Sequence, residues 1–451
     1  MIKNILYQQL EERDGLLNHQ YIERIDVPAK AEYLSTGLIK LITGPRRAGK
    51  SVLALQLLKN EKFAYLNFDD DLLLKHFDED AVIQALNEIY PGHRYLLLDE
   101  IQNLPDWELW VNKLYRRGAN LILTGSNAKL LSREMASSLT GRYIQIAVYP
   151  FSFAEFLRWE KQEIPSGGHM TPQKTGDILS HLNTWLLNGG FPEILLNPAI
   201  LRNYLASLFD SVLLKDIIRR FQIRQPQRLY DLSNYFLANY TNPFSYNQLK
   251  ADLNFSSVPT VQKFTGYLAE PYLFITLTRY SAKIKQQQRS PKKSYIIDNG
   301  FIRSRSFELS PNYGRLLENA VFVELLRRNY RPELELFYYR TRNDREIDFL
   351  CRKGHLVEQL IQVCYDVSNA RTLKRETDAL LEASGELLCE NLLIITWDKE
   401  EVIRQKGRDI QMVAAFRWLC GQEAAAVGSR QRQVGSRQST PNSERKSRQR
   451  Q

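Results

Sequence analysis

Apolar residues along this chain first gather in short runs, at 38–43, 63–68, 95–98, 121–124 and 144–148. Brief, mostly apolar runs predict buried strands of a parallel sheet, since such strands are covered on both faces. Residues 51–58 and 107–115 have helical spacing between them. Strands alternating with helices predict a parallel α/β sheet. Residues 1–35 read as a polar lead-in helix with Leu6, Leu10, Leu16 and Leu17 as its apolar positions.

From Tyr149 the pattern turns mostly helical. Residues 177–240 keep helical spacing, broken at Gly189-Gly190 and Pro192, and Ser166-Gly167-Gly168 sits in a polar loop. Residues 230–237, 245–253 and 257–268 predict three helices, with Ser256 or Ser257 as candidate cap of the third. Residues 273–280 and 292–297 predict a two-stranded wing, joined by a basic loop holding Lys283, Lys285, Arg289, Lys292 and Lys293. That is the pattern of a winged helix, a DNA-docking geometry or a packing and protein-contact module. Residues 311–420 return to mixed α and β. Residues 421–451 hold few large apolar side chains and are expected to be disordered.

The chain has 451 residues, 43% hydrophobic and 25% charged, an ordinary globular composition that excludes collagenous, disulfide-scaffold and wholly disordered classes. At about 150 residues per domain, about three domains are expected. The net charge of +10 argues only weakly for nucleic acid. From Gly421 onward there are seven basic and two acidic residues, and the other 420 carry 54 against 49. Cys351, Cys364, Cys389 and Cys420 form no CxxC pair and read as reduced thiols. No apolar run reaches the ~18 residues needed to span a bilayer, and the N-terminus lacks the apolar core of an export signal. A cytoplasmic protein without a membrane partner is expected.

Gly44-Pro45-Arg46-Arg47-Ala48-Gly49-Lys50-Ser51 matches GxxxxGK[ST], with a strand before it and a helix after it. Backbone N–H groups of such a loop cradle phosphate oxygens. Lys50 would reach the β and γ phosphates of ATP, and Ser51 would set its hydroxyl on Mg²⁺. Tyr95-Leu96-Leu97-Leu98-Asp99-Glu100 is an apolar strand ending in two carboxylates. Asp99 is the candidate Mg²⁺ ligand and Glu100 the candidate base for the attacking water. If the strand at 121–124 lies between these two, its polar tip, Ser126 and Asn127, falls near the γ-phosphate as candidate sensors. Arg133 and Arg142 are candidate arginine fingers toward a neighbouring subunit, compatible with a homo-oligomer.

The ordered set ITGPRRAGKS, YLLLDEIQ, LILTGSN, SLTGRY and YPFSFAEFL, with Gly189-Gly190-Phe191-Pro192-Glu193 and Leu214-Lys215-Asp216-Ile217-Ile218 further on, resembles the prokaryotic AAA+-like P-loop ATPases. In these an AAA_14-type domain precedes a C-terminal DUF4143-type domain of unknown function. The resemblance covers about residues 13 to 418. It implies an ASCE-type sheet, ATP binding and a cytosolic bacterial or archaeal setting, without a known substrate.

Residues 311–400 resemble a PD-(D/E)xK nuclease core, with Glu318 on a helix, Asp348 on a strand and Gln362 on the next strand. Such nucleases need a Lys two residues after the Gln362 position, and Cys364 stands there. A neutral thiol supplies no cation. Lys353 or Arg345 are the candidates to compensate, and a vestigial nuclease-like site is expected rather than an active one. The expected fold is α/β: a P-loop ASCE/AAA+-like parallel sheet, then a helical winged-helix module and a PD-(D/E)xK nuclease-like α/β domain. The expected divisions are 1–35 lead-in, 36–160 ATPase core, 161–227 helical linker, 228–300 winged helix, 301–420 nuclease-like domain and 421–451 tail. The expected function is an ATP-binding, ATP-hydrolysing switch coupled to a DNA- or protein-binding C-terminal half. The alternatives are an ATP-gated DNA nuclease and a STAND-like scaffold for a protein partner.

Overall fold

The computed structural model describes residues 1–25, 27–126, 139, 141–165, 170–305 and 310–422. The loop around Gly167 and all but two residues of the expected tail lie outside these. β1 (Ile39–Thr43), β2 (Phe63–Asn67), β3 (Tyr95–Asp99), β4 (Asn120–Gly125) and β5 (Tyr143–Ala147) form one sheet in the order β2-β3-β4-β1-β5. Every pairing in it is parallel. β4 therefore separates the loop strand from the Asp-Glu strand.

The sheet is buried on both faces by period-2 alternation. Ile39, Leu41, Leu66 and Leu98 face the helices Ile2–Asn18, Glu79–Ile89 and Trp107–Arg116. Ile42, Tyr65, Leu97 and Ile122 face the helix Lys50–Leu58 and the apolar side chains of Tyr33 and Leu34. The first helix is thus more than a lead-in. Ile5 and Leu6 are buried in this core, and the Gln9 amide pairs with both the backbone N–H and C=O of Asn67, at 2.9 and 3.0 Å.

A helical region follows, including Pro172–Asn188, Leu201–Ser211, a π-helical turn over Val212–Arg219, Pro226–Ala238, Tyr246–Asp252 and Val258–Ala269. Ser257, the nearer of the two candidate caps, accepts the Thr260 N–H. β6 (Pro243–Phe244), β7 (Phe274–Thr278) and β8 (Lys292–Ile296) make a small antiparallel sheet in the order β6-β8-β7. The segment between β7 and β8 is not the loop expected, because Ile284–Arg289 is a helix.

The last sheet is mixed: β9 (Leu336–Arg340), β10 (Glu346–Lys353), β11 (Leu356–Cys364), β12 (Leu392–Thr396), β13 (Glu401–Gln405) and β14 (Arg408–Ala414), in the order β13-β14-β12-β11-β10-β9. β11, β12 and β14 run parallel and the other pairings are antiparallel. The helix Tyr313–Arg327 packs through Leu317 and Val321 on the face bearing Phe349 and Ile361. Ala370–Leu387 packs through Ala379 and Leu380 on the face bearing Ile347 and Leu360. All four cysteines are free. Among the described residues no helix is long and apolar enough to cross a membrane.

Candidate functional site

The loop between β1 and the helix Lys50–Leu58 needs its glycines. Gly44 (φ +152°) lies against β5's end, where a Cβ would fall 1.9 Å from the Val148 carbonyl oxygen. Gly49 takes φ +92°, a left-handed conformation that a Cβ disfavours. Lys50 is nearly buried, with Nζ 3.3 Å from the Pro45 carbonyl oxygen and 3.5 Å from Glu100 Oε1. Ser51 Oγ donates to Asp99 Oδ1 at 2.8 Å. The loop strand and the Asp-Glu strand, separated by β4, therefore bring Lys50, Ser51, Asp99 and Glu100 together at the C-terminal edge of the sheet.

Thr124, at the end of β4, joins the acid pair. Its hydroxyl donates to Asp99 Oδ1 and accepts the Glu100 N–H, the latter at 3.0 Å. Burial raises the Asp99 carboxyl above its ordinary pKa, against the hydrogen bonds from Thr124 and Ser51. Burial also pushes Glu100 up, but Lys50, the Gln102 amide and Arg46 outweigh it and hold Glu100 below its ordinary value. One acid thus favours a bound proton or cation and the other stays ionised.

Arg24, just before the sheet, is also built into the loop. Its guanidinium donates to the Ala48 carbonyl, pairs with Glu155 at 3.1 Å and lies 4.2 Å from the Phe151 ring centroid. Glu155 completes a capping box with Ser152. Neither Arg24, Thr124 nor Glu155 was singled out from sequence. The hydroxyl in an otherwise apolar strand was the one available signal for Thr124.

Ser126 is buried at the tip of β4. Asn127 and Arg133 lie outside the described residues. Arg142 precedes β5, and its carbonyl accepts the Ile39 N–H at the start of β1. It is therefore at the opposite end of the parallel strands from the phosphate loop, which follows Thr43. Its Nη1 donates to Asn112 Oδ1 at 2.6 Å. β5 runs parallel to β1, so a residue that precedes β5 lies at the end of the sheet away from the loop that follows β1.

The second cluster lies between β8 and the last sheet. Glu318, Asp348 and Gln362 do come together: Asp348 N–H donates to Gln362 Oε1 at 2.7 Å, and Asp348 Oδ2 accepts the Val363 N–H at 2.9 Å. The cation there is neither of those expected. Lys353 pairs with Glu358 at the surface, and Arg345 pairs with Asp378 and Glu382. Instead Lys293 of β8, read from sequence as part of an exposed basic loop, is buried. Its Nζ lies 2.9 Å from Glu318, 2.8 Å from Glu346 and 3.5 Å from Asp348. Burial opposes its charge, but Glu318, Tyr295, Asp348 and Glu346 hold its pKa well above the ordinary value. Tyr295, two residues along the same strand, donates to Glu318 Oε1 at 2.8 Å. Among the described residues, no three His, Cys, Asp or Glu side chains are grouped to hold a metal ion.

Three family models match this chain in series. Residues 36–157 match the model of an AAA domain. Residues 179–309 match a domain of unknown function (DUF8612), and residues 313–413 match another (DUF4143). The uncharacterized protein MJ1544 of Methanocaldococcus jannaschii is 30% identical over 446 residues, covering 92% of this chain and 98% of that protein. An uncharacterized protein of Haemophilus influenzae is 30% identical over 367 residues, covering 78% and 87%. Among solved structures, the Walker-type ATPase PABY2304 of Pyrococcus abyssi matches at 14% identity and a TM-score of 0.42, covering 64% of this chain and 99% of that one. With three domain models matched in series and a relative aligned nearly end to end, the chain belongs to the family of AAA-type P-loop ATPases whose AAA domain is followed by DUF8612 and DUF4143 domains.

Proposed function

We propose that the chain binds ATP with Mg²⁺ on residues 44–51 and hydrolyses it, as a switch whose nucleotide state is passed to the C-terminal half. The observation that carries this is the 2.8 Å contact between Ser51 Oγ and Asp99 Oδ1, with Lys50 Nζ beside them. A hydroxyl and a carboxylate are hard oxygen donors of the kind Mg²⁺ takes from a protein when phosphate and water complete its shell. Ser51 and Asp99 would hold the ion, which supplies neutralisation of charge on the β and γ oxygens. The loop's backbone amides bind the phosphates, and Lys50 turns from the Pro45 carbonyl to them. Glu100, kept ionised by Lys50, accepts the proton of the attacking water, and Thr124 holds the two acids in register. Calorimetric titration with Mg·ATP tests the reading: wild type binds, and Lys50→Ala does not. Absence of heat with wild-type protein would falsify it.

The output end is read from charge. Lys283, Lys285 and Arg289 are exposed on and beside the helix Ile284–Arg289, which joins β7 to β8 after three helices in winged-helix order. A polyanion such as the DNA backbone fits that surface, and a gel shift that weakens steeply with salt is the expected result. A protein-contact role is favoured instead if no shift appears at low salt. The nuclease alternative is not favoured, because the Lys293 ammonium fills the space among the carboxylates where a metal ion would sit. Plasmid cleavage that depends on Asp348 would reverse that judgement.

A further inference from the structure

The helical region reaches back over the phosphate loop. Leu201–Ser211 runs without a break into the π-helical turn Val212–Arg219, a widened geometry that recurs at functional positions. Val212, Leu213 and Ile217 are buried in the core shared with Pro226–Ala238 and Val258–Ala269. Asp216 is directed instead at the loop, with Oδ1 3.6 Å from Arg46 Nη1. Its side chain is 18% exposed, and its Oδ2 is buried with no hydrogen-bond partner among the described residues. Burial pushes its carboxyl up to about 6 while Arg46 pulls it down, and Glu100 and Lys50 also act on it. It therefore belongs to the charge cluster of the site, although it lies far along the chain from the loop. A second contact joins the same two parts: Tyr272 OH donates to Thr43 Oγ1, on the last residue of β1, at 3.0 Å.

A polyphosphate on residues 44–51 and the Asp216 carboxylate make the same demand. Each is an anion seeking the positive charge of Arg46 and Lys50, and each repels the other across a shielded space. We infer that Asp216 is a built-in competitor of the polyphosphate for Arg46, and that nucleotide binding displaces it and with it the turn Val212–Arg219. This rests on the nucleotide reading given above and adds its regulation. The displacement has somewhere to go, because the apolar face of the same turn is packed into the module that carries β7 and β8. The coupling is reciprocal: a partner that holds the module with Asp216 on Arg46 weakens nucleotide binding by the same factor that nucleotide weakens the partner.

The test is calorimetric titration of the full chain with Mg²⁺ and adenylyl imidodiphosphate, a triphosphate analogue that resists hydrolysis. Asp216→Asn and Asp216→Ala both remove the charge, so either variant alone is informative if the other fails to fold. Each is expected to bind about tenfold more tightly than wild type, a shift typical of removing one close like-charge contact in a partly screened site. In an Arg46→Gln background the gain is expected to fall below about threefold. Equal or weaker binding by both variants, with wild type binding normally, overturns the inference and leaves the nucleotide reading standing. An undiminished gain in the Arg46→Gln background overturns Arg46 as the contested group. No binding by any protein, wild type included, overturns the nucleotide reading and this inference together.

Discussion

Gly189 lies against Asp298 so closely that a Cβ on residue 189 would fall 1.8 Å from the Asp298 Oδ1 atom. Gly189 also takes φ +78°, and its neighbour Gly190 donates its N–H to Asp298 Oδ2 at 2.7 Å. A Cβ on Gly190 would meet the Phe151 carbonyl oxygen at 2.1 Å. The glycine pair is thus a passage pressed by the Phe151 backbone and by the buried Asp298 carboxylate. Gly189→Ala or Gly190→Ala is expected to destabilise the fold by more than about 2 kcal/mol, through collision with atoms that have little room to yield. Gly176→Ala, where no atom lies within 4 Å of the added Cβ, should be neutral or slightly stabilising. Denaturant unfolding of the three variants measures both.

Thr124 ties two acids with one hydroxyl. Thr124→Val keeps the shape of the side chain and removes the tie. Turnover of ATP should fall about tenfold or more while nucleotide affinity changes little, since the loss is one of orientation. Glu100→Gln should go further, binding ATP and failing to cleave it. Wild-type turnover in Glu100→Gln would end the assignment of Glu100 as base.

Lys293 Nζ lies within 3.5 Å of Glu318, Glu346 and Asp348, and Glu346 pairs with Arg340 as well. Lys293→Met leaves the largely buried Glu318 and Asp348 without that counter-charge and should cost about 3–5 kcal/mol. Its neighbour Lys292 pairs with a half-exposed Glu333, and Lys292→Met should cost under about 1 kcal/mol. Similar melting temperatures for the two variants would contradict the difference in burial.

Asp298 gives stability a pH dependence of known sign. Burial raises its carboxyl to about 6, against the hydrogen bonds from Gly190 and Gly300, while the unfolded chain keeps the ordinary value. Between these values the folded state holds a proton that the unfolded state has released. Its contribution is therefore complete at low pH and is lost as pH rises through about 6. The stability advantage of wild type over Asp298→Asn should be larger at pH 4.5 than at pH 7.5. Thermal melts of the pair at both pH values check the direction.

The parallel sheet was legible in the sequence because its strands are apolar on both faces and alternate with helices, and the phosphate loop because its spacing is tied to one backbone geometry. Arg142, the candidate finger toward a neighbouring subunit, falls at the start of β5, and distance along the chain does not say which end of a strand a residue takes. Lys293 was misjudged. In Pro291-Lys292-Lys293-Ser294-Tyr295 two lysines look alike, yet strand alternation puts Lys293 on the side of the buried Tyr295 and Lys292 on the other. The missing lysine at Cys364 was sought nearby in sequence, and the cation came from a different sheet. Asp216 was visible only as part of a recurring string of residues. Nothing in that string says that a π-helical turn carries it to the phosphate loop.

The crossing of Lys293 into the last sheet has a consequence for how such chains can be inherited. The lysine belongs to one matched segment, 179–309, and the carboxylates around it belong to the next, 313–413. A recombinant that joined the front of this chain to the rear of a distant relative would bring an ammonium to a pocket shaped for something else, and the reverse join would leave Glu318 and Asp348 without it. The two segments are separate in sequence and must travel together.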